Sequence, residues 1–311
     1  MNPLRSAGRL ASRAGARALL FTSGVFFGLS ALLARIAASG PAGMTGAQAT
    51  VVRFALGLAA VVTLFRLRPG TFRPVQKGLL VSRGLFGGIS ALLYFVSISL
   101  ISAGEATLLN NTFPIFAVVV SFFFLGERPT FHLAIALVVA SAGVFLVLGG
   151  GVHFELGLGE LLGILSGLAG GCAVASIRKL RSTDNALTIF SAFSVGGLLV
   201  ALPFSWSRWP TAPVTWLAAF GVGVAAFVAQ LCMTEAYGQL DVAEAAVWQQ
   251  LTPIATYLWA MLIGEQITFV TMTGVLLGVA GVVYGSLLGH RPSQPGSPEA
   301  DAAAGLSIEE P

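Results

Sequence analysis

The sequence predicts an all-α integral membrane protein in which ten transmembrane helices form two inverted five-helix repeats. Three observations lead to this prediction. The composition is too apolar for a soluble domain, the apolar residues fall into long runs, and a motif of the first half returns in the second. Of the 311 residues, 56% are hydrophobic and only 10% are charged, whereas a typical soluble domain has roughly 25% charged residues.

Each of the ten apolar runs is long enough to cross a bilayer, which takes about 20 residues of helix. The runs are rich in Leu, Val, Ala and Phe without alternation, which favours helices over strands. The predicted segments 1 to 10 are 17–38, 46–66, 77–100, 104–125, 130–149, 157–178, 186–206, 213–236, 242–263 and 268–289.

The segments divide the chain into a first repeat, 17–149, and a second repeat, 157–289, joined by a connection at 150–156. Residues 1–16 form a basic arm without acidic residues, which we expect to lie on anionic lipid headgroups. A mitochondrial presequence is the alternative for this arm. The tail 290–311 has no apolar run and is predicted to be disordered and cytoplasmic.

Lys and Arg accumulate on one side of the predicted bilayer. If the N-terminus is cytoplasmic, 13 of the 17 Lys and Arg residues fall in cytoplasmic connections or termini, and only Arg208 falls in an outer loop. The other three, Arg35, Arg53 and Arg83, lie within predicted helices. Because Lys and Arg concentrate in cytoplasmic loops, we expect a multi-pass protein of the inner (plasma) membrane with both termini in the cytoplasm.

One motif occurs twice, as GEATLLNNTFP at 104–114 and as AEAAVWQQLTP at 243–253. Its matching residues are 139 positions apart, as Glu105 and Glu244 are. LGERPT at 125–130 returns 138 positions later as IGEQIT at 263–268. Five spans per repeat place the second repeat upside down relative to the first. Inverted repeats are typical of secondary transporters, whose substrate site lies between the repeats.

These residues resemble a known family. A proline-containing segment that ends in Gly-Glu-Arg/Gln-x-Thr, followed by a glycine-containing helix such as LVVASAGVFLVL, is similar to the EamA-type carriers of the drug/metabolite transporter superfamily. The stretches SRGLFGGISALLYFVSISLISAGEATLL and GLAGGCAVASIRKL also follow that family. The resemblance covers residues 17–289 and implies a cavity lined chiefly by segments 3, 4, 8 and 9. Glu235 departs from the pattern, as does segment 9, which is one residue shorter than segment 4 between its proline and its Gly-Glu pair.

The two motif copies supply the first candidate site residues. Pro114 and Pro253 each remove a backbone donor and open the preceding turn, so we assign them a gating role. Two side-chain amides precede each proline, near the middle of the bilayer. Substrate contact and hydrogen-bonded packing between helices are both open for them, and we expect Asn111 to serve one mouth and Gln250 the other. The substrate-binding candidates of the motifs are Asn110, Asn111, Trp248, Gln249 and Gln250.

Segments 3 and 8 each carry a stripe of small and polar residues on one helical face. Its candidate substrate contacts are Ser90 and Tyr94 in segment 3 and Gln230 and Thr234 in segment 8. Such a stripe should not face lipid, and it faces either the substrate or a neighbouring helix.

Four charged residues are candidates for gating or coupling. Glu105 and Glu244 fit a helix capping box, with proton coupling as the alternative. Arg83 lies about six residues inside the end of segment 3, and Glu235 lies next to the end of segment 8; the two could form an ion pair across the vestibule. Arg83 could otherwise extend to the bilayer surface, and Glu235 could pack within the bundle.

The sequence therefore predicts a secondary transporter that moves a small polar or amphipathic metabolite, most readily an amino-acid-like one, by alternating access, and that acts as an exporter. The alternatives are a membrane sensor or subunit without flux, and an intramembrane enzyme. We expect no catalytic residues, cofactor, metal site or nucleic-acid partner. The lipid bilayer and a small-molecule substrate are the expected partners, proton coupling is possible, and the oligomeric state is open.

Overall fold

The structure is a computed structural model that describes residues 3–39, 43–101, 103–149, 157–262 and 268–288. These residues form twelve α-helices and one short 3₁₀ turn, and no strand occurs among them. The helices are α1 (Pro3–Ala38), α2 (Gly46–Leu67), α3 (Lys77–Leu100), α4 (Ala103–Asn110), α5 (Phe113–Leu125), α6 (Phe131–Gly149), α7 (Leu158–Leu180), α8 (Ala186–Ala201), α9 (Pro213–Ala236), α10 (Val242–Gln249), α11 (Leu251–Met261) and α12 (Phe269–Leu288); the 3₁₀ turn is Leu202–Phe204.

The twelve helices correspond to the ten predicted segments because segments 4 and 9 are each broken once. Segment 4 is α4 plus α5, and segment 9 is α10 plus α11. Seven spans are long and apolar enough to cross a membrane, and the apolar stretches 131–146 and 272–288 are somewhat shorter. The predicted all-α integral membrane fold is confirmed.

Helix α1 begins earlier than predicted, and the described part of the expected arm is helical. It runs for 36 residues from Pro3, so residues 3–16 continue the first transmembrane helix. The expectation that this arm rests on lipid headgroups is wrong for Arg13, whose side chain is bonded to Glu244 of α10. The presequence alternative is not tested by these contacts.

The helices pack in a pattern that is preserved when the two repeats are exchanged. Helix α1 of the first repeat lies along α9, as its counterpart α7 lies along α3. In the same way α1 packs on α11, while α7 packs on α5. The fifth helix of each repeat, α6 and α12, forms a contact between the repeats. This reciprocity is that of two repeats related by a two-fold axis.

The connections of one end of the bundle meet through hydrogen bonds and ion pairs. Asp184 accepts a hydrogen bond from the backbone of Val75 at 2.8 Å, and Arg178 contacts Glu127 at 3.1 Å. We call this end, formed by the loops 68–76, 126–130, 181–185 and 237–241, the basic end. At the opposite end Gln48 donates to the backbone oxygen of Ser207 at 2.9 Å.

Two glycines allow helices to approach each other at backbone distance beside the helix breaks. A Cβ atom at Gly28 of α1 would lie 2.7 Å from the nitrogen of Thr256 in α11. A Cβ atom at Gly171 of α7 would lie 2.8 Å from the nitrogen of Ala117 in α5. Thr256 and Ala117 are again 139 positions apart, so both repeats use the same close approach. Small residues at such contacts let transmembrane helices pack through van der Waals contact.

We predict that Gly28→Ala and Gly171→Ala each lower the free energy of unfolding by about 1–3 kcal/mol, the usual cost of overpacking. The added methyl group meets backbone atoms that cannot rotate away. Thermal unfolding in detergent measures the effect. Gly15→Ala is the matched control because a Cβ atom there has open space around it. Equal melting temperatures for the three variants would contradict the close approach.

Candidate functional site

The two repeats are joined at their centre by a hydrogen bond between equivalent amides. Nδ2 of Asn111 donates to Oε1 of Gln250 at 2.7 Å, and both side chains are buried. Nε2 of Gln250 then donates to the hydroxyl of Ser141 in α6 at 3.0 Å. The expectation that Asn111 and Gln250 serve opposite mouths is therefore wrong, because the two amides meet.

The meeting follows from where the prolines break the two helices. Helices α4 and α10 each run for eight residues and end just before the amides meet. Pro114 lies in the first turn of α5, where its missing N–H costs nothing. Pro253 also lies in the first turn of α11, as its third residue. Because α4 enters from the opposite end and α10 from the basic end, equal lengths bring both breaks to the middle of the bundle.

The other two amides of the motifs have different surroundings. Nδ2 of Asn110 donates to the hydroxyl of Ser166 in α7 at 3.0 Å, a contact that packs helices together. Oε1 of Gln249 accepts a weak bond of 3.4 Å from Thr252. Nε2 of Gln249 is buried without a hydrogen-bond partner among the described residues.

The polar stripe on α3 serves helix packing in part. The hydroxyl of Ser90 donates to the backbone oxygen of Ser166 in α7 at 2.8 Å. Tyr94, further along the stripe, is half-buried beside Phe95. For Ser90 the packing alternative is the one observed, whereas substrate contact by Tyr94 stays a prediction.

The stripe on α9 is buried, while Trp248 lies elsewhere. Gln230 and Thr234 are almost fully buried and form a hydrogen bond of 3.4 Å with each other. Trp248 lines a shallow surface cleft with Phe21 of α1 and Ser286 of α12. Trp248 also packs against two apolar clusters of the core, and its contact with the substrate stays a prediction.

Glu244 has partners that the capping-box prediction did not include. Its carboxylate accepts from Arg17 at 2.8 Å and from Arg13 at 3.0 Å, and only 5% of its side chain is exposed. Asp241, the N-cap residue of α10, forms no side-chain capping bond. The capping-box prediction is wrong for Glu244, because its carboxylate is bonded to the two arginines of α1. Glu105 lies in the first turn of α4, but its side chain is outside the described part of the structure.

A second carboxylate of the basic end was missed by the analysis of the sequence. Glu127 accepts from Arg178 of α7 at 3.1 Å and from the backbone nitrogen of Val242, the first residue of α10, at 3.0 Å. Arg178 also lies 3.6 Å from Asp241. Glu127 belongs to the repeated LGERPT motif, so the repeat was a signal that could have identified it.

The predicted ion pair between Arg83 and Glu235 is not formed. Glu235 instead pairs with Arg181 at 2.7 Å, because the turn after α7 brings Arg181 next to the end of α9. Arg83 lies deeper, with its guanidinium carbon 4.1 Å from the centre of the Phe193 ring, and it is only 2% exposed. Extension of Arg83 to the bilayer surface is excluded by the same burial.

Comparison with known proteins agrees with this arrangement. Residues 16–149 and residues 157–286 each match the EamA-like transporter family. The chain belongs to the EamA-like transporter family. The sequence-based resemblance to EamA-type carriers is confirmed, and the protein is a multi-pass membrane transporter.

Relatives of this EamA-like transporter carry transporter names. A pseudopaline exporter of Pseudomonas aeruginosa is 24% identical over 272 residues, which cover 86% of this chain and 94% of that protein. An uncharacterised transporter of Helicobacter pylori is 25% identical over 73% of this chain and 79% of its own length. A crystal structure with 21% identity superposes with a TM-score of 0.75 over 90% of this chain and the whole of that one, which supports the fold.

We predict that Asn111 and Gln250 of this EamA-like transporter are energetically coupled through their hydrogen bond. Asn111→Leu should leave the carbonyl of Gln250 buried without a donor and cost about 1–3 kcal/mol. Gln250→Leu should cost at least as much, because Ser141 also loses its partner. The double variant should be less destabilised than the sum of the two, by about 0.6–2 kcal/mol. Unfolding in detergent measures all four proteins, and strictly additive losses would show that the bond contributes nothing.

Proposed function

We propose that this protein is a secondary transporter that exports a small polar or amphipathic metabolite across the inner membrane by alternating access. The observation that carries the proposal is the bond between Asn111 and Gln250, which joins two equivalent broken helices at the centre of two reciprocally packed repeats. An arrangement of this kind suits a site that opens to one face or the other as one repeat rocks against its partner.

The basic end supplies the gate in this proposal. Glu244 of α10 is bonded to α1, and Glu127, which follows α5, is bonded to α7 and to the start of α10. The end of α5 and the start of α10 are therefore each held by contacts with the other repeat. A packed apolar cluster that includes Leu20, Ile177 and Tyr237 lies beneath these ion pairs. We infer that this conformation is closed at the basic end, and that export requires these contacts to break and re-form.

The proposed orientation in the membrane is based on the distribution of Lys and Arg, and the proposed direction of transport is based on the name of a relative. The Lys and Arg bias favours a cytoplasmic basic end and cytoplasmic termini. The Pseudomonas aeruginosa relative is named an exporter, which favours outward transport here. The chain has no Walker A sequence, so an ion gradient or exchange is the proposed energy source rather than ATP. Chemistry on the substrate is not part of the proposal.

Flux through the purified protein in proteoliposomes tests the function. We expect saturable transport of at least one member of a panel of amino acids and organic acids, recovered chemically unaltered. A Lys179→Cys variant in which Cys172 and Cys232 are replaced by Ser reports the sidedness, because Lys179 is exposed at the basic end. Imposing a pH gradient tests proton coupling. Binding without flux would favour a sensor, and an altered product would indicate an enzyme.

The gate is tested at Glu244. We predict that Glu244→Gln weakens the bonds to Arg13 and Arg17, because it removes the charge of the carboxylate, and shifts the protein toward opening at the basic end. Thr234→Cys, buried in the last turn of α9 at that end, should then react several-fold faster with a membrane-impermeant thiol reagent added to that side. The measurement again uses a background without the native cysteines.

Two further variants make the gate test specific. Glu160→Gln is the matched control, because it also removes an acid but its amide can keep the bond to the nitrogen of Gly157 at the opposite end. Exchange of Arg17 and Glu244 should restore part of the slow labelling. Unchanged labelling in Glu244→Gln would remove Glu244 from the gate.

A further inference from the structure

Arg83 is a buried cation that the gate does not use. It lies in the second turn of α3, about 9 Å inside the basic end of that helix. Its guanidinium rests on the ring of Phe193 and over Gly87, where any side chain would collide with it. It forms no ion pair or hydrogen bond with a described residue, and its Nε atom is buried without a partner. An arginine at membrane depth without an acid is costly, and such residues are typically functional.

The acidic residues that the structure describes are all engaged elsewhere. Glu244 is bonded to Arg13 and Arg17, and Glu235 is bonded to Arg181. The remaining ones likewise have partners of their own: Glu127 with Arg178, Asp241 with Arg178, Asp184 with the backbone of Val75, and Glu160 with the backbone of Gly157. The backbone of Glu105 lies at the far end of α3, about 26 Å from Arg83 along that helix.

A second unpaired arginine increases the positive charge around Arg83. Arg53 of α2 contacts the rings of Phe27 and Phe54, at 6.0 and 5.6 Å, and the Phe54 ring lies 4.8 Å from the Phe193 ring on which Arg83 rests. It too forms no ion pair with a described residue. Two like charges in a medium of low dielectric constant repel each other, and an anion bound near Arg83 would relieve that repulsion.

The neutral groups near Arg83 also offer hydrogen-bond donors. Tyr237 lies in the buried cluster that also contains Leu80, one turn before Arg83 on α3, and its hydroxyl interacts with Arg83 and with the side chain of Gln249. Neither this hydroxyl nor Nε2 of Gln249 has a well-formed hydrogen bond with a residue that the structure describes, although both are buried. Gln249 belongs to the repeated motif beside the central amides. Unused donors around a guanidinium match a ligand that carries acceptors only.

We propose that Arg83 binds a carboxylate group of the transported substrate, with Tyr237 and Gln249 as further donors and Arg53 as a source of positive potential. The planar fork of a guanidinium matches the two oxygens of a carboxylate. One fork with neutral donors suits a carboxylate better than a phosphate, which would draw on several cations. This inference rests on the proposed transport function and names the chemical class of its substrate.

The experiment compares small carboxylates with the matching amides as probes of the purified protein in detergent. Formate and acetate at about 100 mM should raise the melting temperature of the unaltered protein by roughly 2–4 °C more than formamide and acetamide. Inorganic phosphate, at the same ionic strength, should have a smaller effect. Arg83→Met should abolish the carboxylate shift, and Arg83→Lys should keep a reduced one, because it keeps the charge but loses the fork.

Stability without ligand separates a binding role from a structural one. Because Met matches the volume of the arginine stem without its buried charge, Arg83→Met should melt at the same temperature as the unaltered protein or at a higher one. Arg208→Met, in an exposed loop of the opposite end, is the matched control and should change neither measurement. A melting temperature lowered by more than about 5 °C would make Arg83 a packing residue and overturn the proposal.

Three other results would contradict a carboxylate site at Arg83. Equal shifts with carboxylates and amides, a larger shift with phosphate, or a carboxylate shift that survives in Arg83→Met would each overturn the carboxylate site. Because these measurements need no membrane, they are independent of the flux assay. Carboxylate binding without flux would retain this site and remove the transport function. Flux of neutral solutes alone would support the transport function and overturn the carboxylate site.

Discussion

The buried hydrogen bond between Asn111 and Gln250 is the contact on which the arrangement of the two repeats depends. It joins equivalent positions of the two repeats, and it does so where both helices are interrupted. Within a bundle that excludes water, an amide that lost its partner could not be solvated instead. The two breaks are therefore held next to each other at the same depth. Their position in turn fixes the position of the half-helices on either side.

The proline breaks also explain why a short half-helix begins at the basic end and forms contacts with the other repeat there. Each broken segment presents a short half-helix and a longer one, and the short half-helix α10 starts at the basic end. Its first turn carries Glu244, which is bonded to α1, while its first backbone nitrogen is bonded to Glu127. The described ion pairs that cross from one repeat to the other lie at the ends of half-helices, where a small rotation would break several of them together.

The distribution of charge separates residues of the gate from the candidate ligand residue. Around the basic end, Glu127, Glu235 and Glu244 are each paired with an arginine, so that removal of one partner leaves the other uncompensated. Arg83 and Arg53 lie deeper and have no such match among the described residues. A fold gains nothing from an unmatched buried cation, whereas a site for an anion requires one. The contrast favours the proposed ligand role of Arg83 over a role in the gate.

The sequence by itself determined the ten apolar segments, their grouping into two repeats, and the helix breaks at Pro114 and Pro253. These features depend on local properties, namely the length of an apolar run and the missing N–H of proline, and every one of them is present in the described structure. The repeated LGERPT motif also held a signal for Glu127, although its partner Arg178 was not predictable from it.

Only the tertiary structure decided which side chain meets which. The sequence placed Asn111 and Gln250 at opposite mouths, but equal half-helix lengths bring them together at the centre. It paired Glu235 with Arg83, but the turn after α7 supplies Arg181 at 2.7 Å. It gave Glu244 a local capping partner, but two arginines from the far end of the chain reach it. The physical reason is that a side-chain contact depends on the rotation and depth of both helices, which arise from packing and not from the pattern within either segment.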